Sequence, residues 1–418
     1  MTKNINILSL FSGCGGLDIG FEGNFKCLSK CINIKIHPDW VNSKEDGWVN
    51  LKPTGFKTIF ANDIRKDAKQ AWVSYFSNYK KNANQIYILE SIVNLVKQAR
   101  KGKFNFPKNV DIILGGFPCQ DFSIAGKRMG FSSDKNHDGN QRKSNSSTLE
   151  SRGQLFFWMK EVISIVKPKI FIAENVKGLT TLNDSKKIIE NEFASINNNS
   201  YLIIPARILH VANYGVPQNR ERVIFYGFRK DALTKKAFKE LSNLIPGSEY
   251  DPYPIPTHNY NIICNLQNEL ETFTTCQYIL KDLLEPNETS DLSQQKFSKA
   301  KFNYDHQGNR EINLNMIAPT IRSEHHGNIE FRRLSLIHGG KHLIELKNGL
   351  LERRLTVREC ARIQTFPDNY EFINGKKSID GGVSASSAYQ LIGNAVPCVF
   401  AYNIAMRLKE NWDKYFKN

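Results

Sequence analysis

A short apolar run that stops at a glycine pair limits this chain more than any other feature. Asp111-Ile112-Ile113-Leu114 has the length and apolarity of a strand covered on both faces, and Gly115-Gly116-Phe117-Pro118 ends it. Such a strand needs helices above and below it, which points to an open α/β sheet. The pattern recurs along the chain. Ile5 to Phe11 reads as a strand that runs into Ser12-Gly13-Cys14-Gly15-Gly16 and then a helix with Leu17, Ile19 and Phe21 on it. Lys57 to Ala61 is a strand ending at Asn62-Asp63, and Lys169 to Ala173 is one ending at Glu174-Asn175-Val176. Ligands and chemistry gather at the carboxyl ends of strands in such sheets. Cys119, Asp63 and Glu174 are therefore expected at one edge, with Asp63 placed where a ribose hydroxyl would be bound.

A thiol at that edge with no second cysteine at CxxC spacing is a candidate nucleophile; its bland alternative is a buried structural cysteine. The eight cysteines are scattered, and neither they nor the six histidines of the 229–350 tract match a ligand spacing, so no metal is expected. The net charge of +16 over 418 residues favours a polyanionic partner, nucleic acid before membrane. With no signal peptide and no apolar run near membrane length, a cytoplasmic protein with reduced thiols is expected.

Further along, residues 67–79 and 85–100 have helical periodicity, with Tyr87-Ile88-Leu89-Glu90 a weaker strand candidate bearing an acidic tip. Residues 24–57 show no clear period and read as a surface insertion. Gly126 to Ser151, including a low-complexity stretch at 132–148, reads as a mobile lid. Leu155 to Val166 is an amphipathic helix. Strands are expected at Tyr201–Ile204, Ala206–Leu209 and Val223–Phe228. Arg220 and Arg222, two apart at a strand mouth, share a face and suit a carbonyl, carboxylate or phosphate. Residues 1–228 are expected to form the first domain, 229–350 a smaller, mostly β and loop domain, and 351–418 a segment returning to the first.

Six motifs in fixed order resemble the DNA cytosine-C5 methyltransferases: FSGCGG at 11–16, GGFPCQDFS at 115–123, ENVKGL at 174–179, QNRER at 218–222, RLTVRECARIQTFPD at 354–368 and QLIGNAVP at 390–397. The resemblance implies a Rossmann-like methyltransferase domain, a mixed and mostly parallel sheet with helices on both faces, joined to a target-recognition domain at 229–350. It implies that Cys119 attacks cytosine C6, that Glu174 contacts N3 and the exocyclic N4, and that Arg222 holds the carbonyl with Arg220 in support. The methyl donor would be S-adenosylmethionine, leaving S-adenosylhomocysteine. Phe11, Gly13, Gly16, Asp63, Ile64, Pro118, Leu155, Asn394 and Val396 match positions around it, and Glu90 is a guess for a third acidic contact.

The target base must leave the duplex to be reached. The loop with Gln120, Ser123, Lys127, Arg128 and Arg152 is suited to close over the extruded nucleotide and contact phosphates. Arg322, Arg332, Arg333 and Lys341 are candidate contacts of the recognition domain, their bland alternative a solvated surface. The substrate implied is a specific site in double-stranded DNA, acted on by a monomer. A restriction endonuclease of the same specificity would be its functional counterpart. The insertion at 24–57 and the long loop at 132–148 depart from the pattern. A transfer-RNA cytosine-C5 methyltransferase shares the PCQ and ENV elements; the long recognition tract argues for DNA. Intact Cys119, Glu174 and Arg222 argue against a silent DNA-binding regulator, and the missing GxGxxG against a nicotinamide-dependent oxidoreductase.

Overall fold

The computed structural model describes residues 4–118, 154–181, 184–261, 269–305, 307–323, 327–375 and 382–417. Seven strands form the central sheet: β1 (Ile5–Leu10), β2 (Phe56–Asp63), β3 (Tyr87–Leu89), β4 (Ile112–Gly115), β5 (Ile170–Val176), β6 (Tyr201–His210) and β7 (Glu221–Arg229). Their order across the sheet is β3-β2-β1-β4-β5-β7-β6. All neighbours are parallel except β7, which runs antiparallel to both β5 and β6. The reversal of β7 matters for the site. It brings the start of that strand, with Glu221 and Arg222, to the edge where the parallel strands end.

Strand alternation fills two cores. Ile7, Ile112, Leu114, Ile172 and Ile224 face one layer of helices: α1 (Gly16–Glu22), α2 (Lys66–Phe76), and, from the far end of the chain, α6 (Ala385–Asn394) and α7 (Cys398–Tyr415). Leu8, Leu10, Ile113, Phe171 and Val223 face the other: α3 (Ile92–Arg100), α4 (Leu155–Val166) and α5 (Ser185–Ala194). Ala385–Tyr415 has the length and hydropathy of a membrane span, but 83% of its apolar window is buried inside the fold, as a core helix layer would be.

Several local expectations shift. Tyr87–Leu89 is an edge strand, so the helix expected over 85–100 starts only at Ile92. The two short strands around Pro205 are one continuous strand, tolerated because β6 lies at the sheet edge, where a missing amide donor leaves no ladder bond unmade.

The 24–57 tract is not a surface insertion. It forms a three-stranded antiparallel sheet from Lys26–Leu28, Val41–Glu45 and Trp48–Leu51. Trp40, Val49 and Leu51 are buried in the first core, and Trp40 packs edge-on to Tyr402 of α7. The same tract grips the 257–278 region: Asn33 donates to the Thr257 and Glu269 carbonyls at 2.9 and 2.8 Å, and Ser29 shares a 2.9 Å hydrogen bond with Tyr278. Tyr278→Phe is expected to lower stability by about 1 kcal/mol, the net worth of a hydrogen bond, without changing catalysis at saturation. Denaturant melts paired with initial rates would check this.

The 229–350 tract is loop with short helices and strands of two or three residues. Its first part stays with the sheet: Tyr253 is buried and donates to the carbonyls of Pro205 and Ile224 at 3.0 and 2.9 Å. Its later part is tied to residues 351–368 through arginines. Arg353 pairs with Glu285 and Glu359, Arg358 with Asp291, and Arg362 with Asp282 and Asp368. The RLTVRECARIQTFPD motif is thus a buried capped helix that anchors this tract.

Candidate active site

The sheet order reverses between β1 and β4, and a ligand-sized cavity of about 490 Å³ opens there. That volume lies within the range of small-molecule sites, and the position is the one doubly wound sheets favour. Phe11, Gly13 and Gly16 line it from the β1 turn, Asp63 and Ile64 from the end of β2, and Pro118 from the end of β4. Leu155 closes one side from the start of α4, and Asn394 and Val396 the other from the end of α6. Glu174 and Arg222 line the same cavity. Cys119, Gln120, Ser123, Lys127, Arg128 and Arg152 lie outside the described residues, as do the 126–151 tract and its 132–148 stretch.

The glycine turn is held from several sides. Phe11, Gly13 and Gly15 all have positive φ, at 53°, 54° and 86°. Asp63 Oδ2 accepts from the Gly13 amide at 3.1 Å and Oδ1 from the Arg65 amide at 3.0 Å. Tyr87 and Tyr370 donate to the Gly13 and Cys14 carbonyls at 3.0 and 2.8 Å. Burial pushes the Asp63 carboxyl above its ordinary value, against the pull of these amides.

Glu174 and Arg222 form the charged end of the cavity. Glu174 lies inside β5 rather than after it, and Arg222 sits opposite Val176 on β7, so the two are diagonal neighbours on one face of the sheet. Arg222 Nε lies 2.6 Å from Glu174 Oε1, and both side chains are about one-tenth exposed. Burial raises the Glu174 carboxyl; Arg222 and Arg220 oppose this without cancelling it. A methyl group on Gly116 would sit 3.1 Å from Glu174 Oε2, so the β4 turn passes close to the carboxylate.

Other expected residues stand further off. Arg220 is buried behind the cavity and donates to the carbonyls of Gly393, Ala395 and Ile321 at 2.9, 2.8 and 3.1 Å. The spacing puts it on the face of Arg222 only if both lie on the strand; it precedes the strand and holds the cavity wall instead of lining it. Glu90 caps the start of α3 through the Ser91 amide and Asn94; Ser91 and Ile92 line the cavity in its place. Arg322 is bound to Gln307, the Asn328 carbonyl and Glu330. Arg332 and Arg333 are not surface contacts: they pair with Glu345, and Arg333, 1% exposed, also with Glu285. Asn62, Arg65 and Gln390 line the cavity and were not anticipated. Gln390 was within reach of sequence, since it lies one helical turn before Asn394.

Six of the eight cysteines are described, and all six are buried and unpaired. Burial drives all six thiols above the ordinary range, up to about 12 for Cys31 and Cys276. None of the six has the exposed, electropositive setting of a nucleophile.

A model of C-5 cytosine-specific DNA methylases matches residues 5–410. The chain belongs to this family. Its similarity to curated members runs nearly end to end. It is 32% identical to the type II methyltransferase M.BsuRI of Bacillus subtilis, over 98% of this chain and 80% of that one. It is 29% identical to M.NgoPII of Neisseria gonorrhoeae, over 98% and 97%. Among solved structures, the S. pombe Dnmt2 methyltransferase aligns with a TM-score of 0.53 at 16% identity, covering 97% of this chain and 98% of that one. The Entamoeba histolytica methyltransferase EhMeth gives a TM-score of 0.53, also at 16% identity, covering 99% of both. At those identities the likeness is one of fold, and the fold is the mixed seven-stranded sheet described above.

Proposed function

We propose that this cytosine-C5 methyltransferase uses S-adenosylmethionine to methylate one cytosine within a specific duplex DNA site, flipping the base out and attacking its C6 with Cys119. The observation that carries the reading is the buried Glu174–Arg222 pair at one end of a cavity whose other walls are the glycine turn, Asp63 and the Asn394–Val396 segment. The cavity suits the donor: Gly16 allows no side chain beside the Val396 carbonyl, and a carboxylate stands at the tip of the second strand, where a ribose would meet it. When bound, S-adenosylmethionine supplies an electrophilic methyl group.

The residues of the chain do the rest. The Cys119 thiolate forms a bond to C6, and Glu174 holds a proton at N3, so that electron density collects at C5. Arg222 keeps Glu174 in place and offers its guanidinium to the cytosine carbonyl. After C5 takes the methyl group, loss of the C5 proton re-forms the ring double bond and breaks the bond from C6 to sulfur. The later part of the 229–350 tract would read the sequence, and Gln120, Ser123, Lys127, Arg128 and Arg152 would close on the flipped nucleotide. The names of the type II relatives favour a role in protecting DNA from a restriction endonuclease of the same specificity.

A duplex carrying 5-fluorocytosine at the target position tests the chemistry. Fluorine cannot leave as a proton does, so the wild-type enzyme with its donor is expected to stay covalently attached, and Cys119→Ala to form no adduct. An active enzyme that forms none would remove the covalent step. Label transferred from donor to transfer RNA and not to duplex DNA would replace the substrate.

A further inference from the structure

We propose that Arg310 is a sequence-reading residue of this enzyme, presenting its guanidinium to the major-groove edge of a guanine in the target duplex. The inference rests on duplex DNA being the substrate. Arginine is the residue whose fork matches guanine O6 and N7, and this pairing is the commonest specific base contact. An arginine can serve in that way only if nothing inside the protein already occupies it.

Among the described residues, every other arginine is so occupied. Arg65, Arg100, Arg207, Arg222 and Arg229 are paired with carboxylates. So are Arg322, Arg332, Arg333, Arg353, Arg358 and Arg362. Arg220, Arg354 and Arg407 donate to backbone carbonyls. The Arg310 side chain is exposed, and no described residue hydrogen-bonds or pairs with its guanidinium.

Its backbone is held as firmly as its side chain is free. The Arg310 carbonyl accepts from the Phe331 amide at 2.8 Å, and the Ile312 amide donates to the Phe331 carbonyl at 2.9 Å. Phe331 lies under the Arg354 guanidinium, 4.1 Å from it, and Arg354 is itself fastened to the carbonyls of Ala300, Lys301 and Gly308. The neighbouring Glu311 binds the amides of Leu334 and Lys341 at 2.8 and 2.7 Å. A free guanidinium on a fixed mount loses little backbone entropy on binding.

The setting has the chemistry of a groove reader. Arg310 lines an open cleft of about 870 Å³ together with Asn309, Asn313, Gln277 and Lys341. Amides and a cation are the groups that meet base edges and phosphates. The segment is also tethered to the edge where Arg222 lies. A few residues beyond Arg310, the Ala318 carbonyl accepts from the Asn219 amide at 2.8 Å and the Ile321 carbonyl from Arg220 at 3.1 Å, beside Arg222. Extended chain from Arg310 to Ala318 spans at most roughly 30 Å, within reach of a duplex whose flipped cytosine lies at Glu174.

The test is methylation of a duplex library randomised around the target cytosine, at several salt concentrations, by wild type, R310A, R310K and K341A. Melting temperature and donor binding are measured on each variant. R310A is expected to melt and bind donor as wild type does, and to lose about 5- to 150-fold of its preference for guanine at one position. R310K is expected not to restore that preference, because a point charge lacks the fork. K341A is expected to weaken all sequences alike and to flatten the salt dependence, as a phosphate contact does. If R310A instead behaves as K341A should, or leaves the sequence profile unchanged, the proposal is overturned while the DNA reading stands. A wild-type enzyme that marks no duplex overturns both.

Discussion

Glu174→Gln is expected to lower the rate of C5 methylation by about 10²- to 10⁴-fold, the usual worth of a positioned acid. The substitution keeps the shape of the side chain and its place on β5, so the fold and the donor cavity should survive. On the proposed mechanism, what it removes is the carboxyl that holds a proton against N3 of the bound cytosine. It also leaves the Arg222 guanidinium, now 2.6 Å from a carboxylate, facing a neutral amide in a buried setting. The pH dependence separates this from simple loss of packing. Burial raises the Glu174 carboxyl above its ordinary value despite Arg222 and Arg220 beside it, so it keeps its proton to higher pH than a surface glutamate. Activity should rise with pH as Cys119 ionises and fall as Glu174 loses its proton, giving a bell. In Glu174→Gln the rising limb should remain and the falling limb should vanish. A variant that keeps both limbs, or that retains near wild-type kcat, would assign the proton to another group.

The sheet edge was legible from sequence because local chemistry writes it. An apolar run ending in glycines or an acid needs no distant partner to be recognised, and Asp63, Glu174 and the 11–16 turn all line one cavity. Depth was not legible in the same way. The spacing of Arg220 and Arg222 suggests one shared face, yet only Arg222 lies on the strand and lines the cavity; Arg220 precedes it and donates to the carbonyls of Gly393 and Ala395. The 24–57 tract lacked a period because its strands are only three to five residues long, and the helix that buries Trp40 is near the other end of the chain. Charge misled at Arg332 and Arg333 for a related reason. Their partners, Glu285 and Glu345, come together with them only in the fold, so a basic pair that looks like a surface patch is an internal tie. Arg310 is the converse case: one arginine in a polar stretch without another Lys or Arg close by, set apart in the fold by what does not touch it.

Gly16→Ala is expected to reduce donor affinity at least about tenfold, and Gly16→Val to remove detectable binding. A methyl group at this position would lie 2.2 Å from the Val396 carbonyl oxygen and 3.3 Å from Ala395 Cβ. The neighbour that would have to move is backbone, and it is pinned. Arg220 donates to the Gly393 and Ala395 carbonyls, and Gln364 donates to those of Ile392 and Ala395. Both Gly16 and Val396 line the cavity, so a forced displacement falls on the proposed donor site itself. Overpacking of this kind costs about 1–3 kcal/mol, which is why melting temperature must be followed alongside binding. Gly13 provides the internal comparison. It has φ of +54° and nothing within 4 Å of where a methyl group would go, so Gly13→Ala meets only the backbone cost of a positive φ, about 1 kcal/mol. Titration calorimetry with S-adenosylhomocysteine should therefore find the Gly16 variants far weaker than Gly13→Ala at comparable stability. Equal losses at the two positions would mean that turn geometry, and not the close approach of residues 395–396, governs the site.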